Sequence, residues 1–295
     1  MKFERKPEWI KTKLPGFGHF KEVRVLLKEL HLHTVCESAL CPNLGECWGE
    51  KSATIMIMGD ICTRNCRFCS VKKGKPLSLD PEEPSNVALA IKELGLEYAV
   101  ITSVDRDDLP DFGAEHYAET VKKIKEINPD TKVEVLIPDF NLNFDSLKKI
   151  VESKSDVIAH NVETVKRLTP FVRDKRAGYE KSLSVLKIIK EMSSEMITKS
   201  GIMIGLGETE NEIIDTMKDI KDAGCEIITI GQYLRPTRKN LPVEKYYTPE
   251  EFKKFEKIGY EMGFKFVASQ SLVRSSYKAK EGYLRVKIHQ DKSLL

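Results

Sequence analysis

From about residue 53 onward, short apolar runs alternate with amphipathic segments. "TIMIM" (54–58), "YAVITSV", "KVEVLIP", "DVIAHN", "TKSGIMIG" and "EIITIGQYL" read as buried strands, and "FKFVAS" reads as a final short one. Between them lie "PSNVALAIKELG", "AEHYAETVKKIKEIN", "FDSLKKIVES", "YEKSLSVLKIIKEM", "TENEIIDTMKDIKDAG" and "TPEEFKKFEKIGYEMG", which read as helices. In the second of these, Tyr117, Val121 and Ile124 share one face. The punctuation agrees. Pro84 stands near the first helix start and Gly95 at its stop, Thr209 and Glu212 make a capping box, and Gly224 and Gly263 end their helices. Strands apolar along their whole length, alternating with helices, predict a parallel sheet covered by helices. A (β/α) barrel, partial or complete, and an open doubly wound sheet both fit, and periodicity does not choose between them.

In a barrel the chemistry sits at the C-terminal ends of the strands. Here those ends carry "CTRNCRFC", "TSVDRDD", "HNVET", "GLGE" and "QYLRPT", so polar and cysteine-rich residues converge on one rim. Residues 1–52 and 270–295 fall outside the alternation and read as appendages to a unit spanning 53–269.

Composition narrows the partners. Among 295 residues, 48 basic and 45 acidic side chains give a net charge of +3, which offers no reason to expect nucleic acid. The stretch "RKPEWIKTK" reads as a solvated arm. No run of 18 apolar residues predicts a membrane span. The start, "MKFERKPEWI", lacks the apolar core of a secretory signal, so the cysteines are expected to be reduced thiols in the cytoplasm, with an organelle matrix as the alternative.

The cysteines carry the strongest signal. Six of the seven fall in two triplets: Cys36, Cys41 and Cys47 at C-x4-C-x5-C, and Cys62, Cys66 and Cys69 at C-x3-C-x2-C. Structural zinc usually takes two close pairs; only Cys66 and Cys69 form one, and neither triplet has a histidine at zinc-finger spacing. The second triplet reads as three ligands to a [4Fe–4S] cluster with one iron left open. C-x3-C-x2-C after a first barrel strand, with the aromatic Phe68 before the last cysteine, matches the radical S-adenosylmethionine (SAM) enzymes. There the methionyl amine and carboxylate chelate the open iron, and an electron from the cluster yields a 5′-deoxyadenosyl radical that abstracts hydrogen. The first triplet then implies a second cluster.

Taken in order, "CESALCPNLGECW", "CTRNCRFC", "TSVDRDDLPD", "HNVETV", "GQYLRPT", "LPV" and "VRSSY" resemble the lipoyl synthase family over nearly the whole chain. The resemblance implies a partial (β/α)6 TIM-type barrel with N- and C-terminal extensions carrying an auxiliary cluster. It implies insertion of two sulfur atoms, at C6 and C8 of an octanoyl chain held on a lysine of a lipoyl carrier domain, with two SAM molecules consumed per product. Cys62, Cys66 and Cys69 would hold the radical cluster. Cys36, Cys41 and Cys47 would hold the sulfur-donating cluster, with Ser276 of "RSSY" as fourth ligand. The implied carriers are 2-oxoacid dehydrogenase subunits or the glycine cleavage H protein. A reductant such as ferredoxin or flavodoxin and an iron–sulfur repair carrier complete the set, without nucleic acid or membrane.

Other residues are read by position. Thr102 and Ser103 end the second strand, where radical enzymes hold the methionyl amine; a capped strand end is the plainer alternative. Asn161 and Glu163 end the fourth, where a carboxylate could accept both ribose hydroxyls. In "GIMIGLGE" the glycines, Gly205 among them, allow close approach to a ligand such as the adenine. Arg173 and Arg235 are candidate partners of the methionyl carboxylate or the clusters, with surface salt bridging as the alternative for Arg173. "DRDDLPD" reads most simply as a solvated loop, His160 as a hydrogen-bonded strand-end residue, and Cys225 as a core thiol. Phe112-Gly113, where many family members have two glycines, and Asn240, where many have histidine, depart from the pattern. The rival functions are another two-cluster radical sulfur inserter and a non-catalytic iron–sulfur carrier.

Overall fold

The computed structural model describes residues 6–12, 16 and 18–292. The ends of the two predicted appendages, and part of the basic arm at 5–13, lie outside the described residues.

The chain begins with α1 (Phe20–Glu29), β1 (His33–Thr34), α2 (Val35–Ser38) and α3 (Leu44–Gly49). The alternating unit runs β2 (Thr54–Ile57), β3 (Ile61–Cys62), β4 (Lys72–Lys73), α4 (Glu83–Leu94), β5 (Tyr98–Ser103), α5 (Ala114–Ile127) and β6 (Lys132–Leu136). It continues with α6 (Phe144–Glu152), β7 (Val157–Ala159), α7 (Thr169–Val172), α8 (Tyr179–Met192), β8 (Ile197–Ile204), α9 (Glu210–Asp222) and β9 (Ile227–Gln232). The last elements are α10 (Pro249–Glu261), β10 (Phe266–Gln270) and α11 (Ala279–Lys292). The eight-stranded sheet has the order β1-β2-β5-β6-β7-β8-β9-β10. Every neighbour pair is parallel except β1 with β2. This sequential order is that of a barrel wall, not of a doubly wound sheet, and β1 and β10 remain as its two ends.

Local signals account for the elements. Both Thr209–Glu212 and Thr248–Glu251 close as reciprocal capping boxes, and Gly95 ends α4 at φ 64°. Tyr117, Val121 and Ile124 of α5 are fully buried, as their spacing predicts. Each such side chain removed from water contributes about 1.5–3 kcal/mol against conformational entropy.

Alternation along the strands defines the lumen. Thr54 and Met56, Gly201 and Met203, and Thr229 and Gly231 face inward near the mouth. Deeper on the same inward faces, Lys199 Nζ meets Glu134 at 2.7 Å, and Tyr98 Oη donates to the same carboxylate at 2.7 Å. That paired, fully buried charge forms the layer beneath the cavity. Below it, Tyr283 and Val286 of α11 pack on Val157, Ile197, Ile227 and Phe266, which sit at the starts of their strands. The C-terminal appendage therefore has two parts. Its "VRSSY" segment reaches the mouth, while α11 plugs the opposite end of the barrel.

Candidate active site

The strand ends enclose a cavity of about 440 Å³. Cys36 and Cys41 line one side, and Cys62, Cys66 and Cys69 another. Thr102, Ser103, Asn161, Glu163 and Arg173 lie on the wall, as do Arg235 and Ser276. Two predicted site residues stand off it. Cys47 is half-buried behind its partners, near enough for Cys36 and Cys41 to act on it electrostatically. Gly205 packs into protein: a methyl there would fall 2.1 Å from Gln232 Nε2 and 2.6 Å from the Lys245 carbonyl. The close approach that its φ of 110° permits is thus to Gln232, and not to a ligand in the cavity.

The second cysteine loop is held by polar clamps drawn from distant parts of the chain. Arg64, between Cys62 and Cys66, is buried. Its guanidinium gives two bonds of 2.7 Å to Asp139, further bonds of 2.8–3.2 Å to Asp107, and lies 3.3 Å from Asp105. Burial works against charge here, but the Asp139 and Asp107 bonds outweigh it and hold Arg64 well above its usual range. Burial likewise pushes Asp139 up, yet Arg64 brings it down to about 2. Asp105, with a weaker hold on Arg64, is raised by burial to about 6. Asp174 accepts from the Asn65 N–H at 2.7 Å, and Arg176 donates to the Thr63 carbonyl at 2.6 Å. Backbone N–H groups also point at the sulfurs: Arg64 and Asp105 at Cys62, each 3.4 Å, and Asp174 at Cys66, 3.3 Å. Such bonds tune the potential of a thiolate-held cluster.

On the facing wall, Thr102 Oγ1 donates to the Leu136 carbonyl at 3.1 Å. Glu163 is half-buried and sits at φ 72°, a strained conformation for a residue with a side chain. Burial raises its carboxyl, with the Arg173 charge pulling the other way. Arg173 gives Nη1 to Ser182 Oγ at 2.8 Å and to the Val162 carbonyl at 3.2 Å. His160 bonds the Ile137 carbonyl and Ser182 Oγ, both at 2.9 Å, and burial beside Arg173 lowers it to about 4, so the ring is neutral. Arg235 is exposed and folds onto the carbonyls of its own loop, Thr237 and Arg238.

The first triplet meets the C-terminal arm. Asn43 Nδ2 donates to the Leu272 carbonyl at 2.7 Å. Arg274 is half-buried beside Cys41; desolvation pulls its guanidinium down and the Cys41 charge pushes back. The arm rests on bare backbone, because a methyl at Gly231 would stand 2.2 Å from the Val273 carbonyl oxygen.

The residues fit the clusters and the cofactor that the spacing implied. Burial raises Cys36 and Cys66 to about 11 and Cys47 and Cys62 to about 12. These thiols hold their protons until a metal displaces them. Ser103 Oγ, Asn161 Oδ1 and Arg173 Nε are buried on the cavity wall without a hydrogen-bond partner. Unpaired buried polar atoms are costly, and these three belong to side chains that line the cavity.

Sequence reasoning missed the clamps. "DRDDLPD" is no solvated loop: Asp105 and Asp107 grip Arg64, while Arg106 pairs with Asp108 at 2.8 Å. Asn240 is also a clamp, donating to the carbonyls of Arg67 at 3.1 Å and Cys69 at 3.0 Å. Thr237 Oγ1 donates to its oxygen at 2.7 Å and fixes the amide. Asn240→Ala is expected to cost about 1–3 kcal/mol, since two carbonyls lose a buried donor. Melting of the metal-free chain should fall by a few degrees. Iron should also leave the second triplet faster under chelator. Unchanged melting and chelation rates would refute the clamp.

A family model described as the radical SAM superfamily matches residues 56–220, and one described as the N-terminal domain of lipoyl synthase matches residues 2–41. The chain is 55% identical to a lipoyl synthase of Caldanaerobacter subterraneus subsp. tengcongensis, covering 94% of this chain and 97% of that one. It is 52% identical to a lipoyl synthase of Thermus thermophilus (95% and 87% covered) and 51% identical to a mitochondrial lipoyl synthase of Picea sitchensis (97% and 76%). In fold it is similar to the FeFe-hydrogenase maturase HydG of Carboxydothermus hydrogenoformans, with TM-score 0.57, 15% identity, and 90% and 78% covered. Methylornithine synthase (PylB) gives TM-score 0.53 at 13% identity, with 93% and 94% covered.

Proposed function

The chain belongs to the lipoyl synthase family of radical SAM enzymes, and from that premise we propose how its own residues carry the family's reaction. The reaction is insertion of sulfur at C6 and C8 of a protein-bound octanoyl chain, with SAM and two [4Fe–4S] clusters as cofactors. Cys62, Cys66 and Cys69 would hold the open cluster; Cys36, Cys41, Cys47 and Ser276 would hold the auxiliary one. When bound, the first supplies the electron that cleaves the sulfonium and the second supplies the sulfur. The observation that carries the assignment is that Cys36 and Cys41, the whole second triplet and the arm bearing Ser276 meet at one cavity whose far wall carries unpaired polar atoms.

The chain's remaining task is to orient and to exclude water. Arg173 Nε is the donor for the methionyl carboxylate. Ser103 Oγ accepts from the methionyl amine, with Thr102 bracing the strand end beside it. Glu163 and Asn161 Oδ1 accept from the ribose hydroxyls. Arg235 stands at the rim, where it meets the incoming carrier domain rather than the buried end of the cofactor. Met56, Leu136 and Ile202 give the wall its apolar stretches, which keep water from a carbon-centred radical. In domain terms, 1–52 and 270–295 frame the auxiliary cluster and 53–269 the radical barrel, α11 excepted. The carrier is a lipoyl domain of a 2-oxoacid dehydrogenase or the glycine cleavage H protein. Ferredoxin or flavodoxin serves as reductant, an iron–sulfur carrier renews the donor cluster, and the setting is the cytoplasm or a matrix of equal reducing character. Among the described residues, no helix is long and apolar enough to cross a membrane.

The test is anaerobic reconstitution, followed by SAM, reductant and an octanoyl-lysine peptide of a lipoyl domain. About eight iron and eight sulfide per chain are expected from two cubanes. The product should be heavier by two sulfurs, with two 5′-deoxyadenosines released for each. About four iron, or zinc alone, would refute the two-cluster site. SAM cleavage that leaves the octanoyl peptide unchanged would turn the reading toward a different sulfur inserter.

A further inference from the structure

The first serine of "RSSY" has an unassigned contact. Asn161 Nδ2 donates to Ser275 Oγ at 2.7 Å, across 114 residues of chain, and to Glu163 Oε1 at 3.1 Å. Both amide hydrogens are thereby committed, and the remaining polar atom, Oδ1, is the buried acceptor without a partner. The neighbouring Glu163 carboxyl fixes this orientation, because a flipped amide would set oxygen against oxygen. Gly201 leaves room for Oδ1, since a methyl there would come within 2.9 Å of it. Ser275 itself is held from behind: Val273 lies on bare Gly231, and Asn43 fastens Leu272.

We propose that Ser275 is a positioning residue for SAM, acting through Asn161, and that it couples the auxiliary-cluster arm to the nucleoside site. The proposal rests on the reading above and goes beyond it. Ser276 belongs to the donor cluster, while the residue before it serves the other half of the cavity. With the arm docked, Ser275 and Glu163 together hold the Asn161 side chain on the cavity wall in a fixed direction. With the arm displaced, the amide keeps only its longer bond to Glu163 and is held less firmly. Coupling of this kind is reciprocal: a docked arm tightens SAM, and bound SAM steadies the arm that carries Ser276. A chain built this way commits SAM tightly only when its sulfur donor is in place.

The experiment measures SAM affinity of the reconstituted chain by equilibrium titration, following the electron paramagnetic resonance of the reduced open cluster. Iron is counted in parallel. Ser275→Ala is expected to weaken SAM by about tenfold, the loss of one buried hydrogen bond, with iron still about eight per chain. Ser275→Thr, which keeps the hydroxyl, should recover most of the affinity and serves as the control for folding. Unchanged affinity in Ser275→Ala would overturn the proposal. Loss of about half the iron in that variant would overturn it too, by making Ser275 part of the auxiliary ligand set. Failure of the unaltered chain to bind SAM would instead overturn the reading on which the proposal stands.

Discussion

Cys66→Ala is expected to halve the iron of the reconstituted chain, from about eight atoms to about four, and to reduce 5′-deoxyadenosine release to background. The reason lies in how its loop is built. Cys62, Cys66 and Cys69 lie on one segment whose course is fixed by hydrogen bonds from Arg64, Asp174, Arg176 and Asn240. Removing one sulfur therefore removes a ligand without unfolding the loop. Melting of the metal-free variant should stay close to that of the unaltered chain. Cys41→Ala makes the opposite case. It should also lose about half the iron, yet it should retain SAM cleavage while failing to insert sulfur. The pair separates the radical centre from the sulfur source. Cys66→Ala chains that keep full iron, or that still release 5′-deoxyadenosine, would refute the assignment.

The strands and helices of the barrel were legible because each is a local pattern. Continuous apolar runs marked β2 and β5 to β10, and capping pairs such as Thr209–Glu212 marked helix starts. The choice between barrel and doubly wound sheet was not legible, since strand order is a property of pairing and leaves no periodic trace. Nor was β1, whose two residues are too few to show a period. At the site, the cysteines were read from spacing, but the clamps were not. Arg64 pairs with Asp139 across 75 residues, and Asn240 reaches Cys69 across 171. In the sequence, "DRDDLPD" is indistinguishable from a solvated loop, because the arginine that buries it comes from another strand end. Arg173 shows the same limit. It could have been a surface cation; burial, and a Nε without a partner, bring it into the cavity. Asn240 carries the converse lesson. Its amide supplies N–H donors to two loop carbonyls, so the departure from histidine retains a donor at that position.

Arg64→Met should be the most destabilising single change at the site, by about 3–5 kcal/mol, the usual cost of removing one partner from a buried ion pair. Asp139 is fully buried and Asp107 half-buried, and both face the guanidinium. Without it, two or three carboxylates share one desolvated corner, and at least one must take up a proton or draw in water. Against a total stability of about 5–15 kcal/mol, the change removes a large fraction. Melting of the metal-free chain should drop on the order of 10 °C. Iron should be lost selectively from the second triplet, since Thr63, Arg64 and Asn65 lie between its first two cysteines. Arg64→Lys keeps the charge but not the fork, and should fall between the two. The decisive measurement is a double-mutant cycle. Arg64→Met combined with Asp139→Asn should cost less than the sum of the single changes, because the second removes the charge that the first leaves stranded. Additive losses would mean that the carboxylates do not act through Arg64, and the clamp would have to be sought in Asp174 and Asn240 instead.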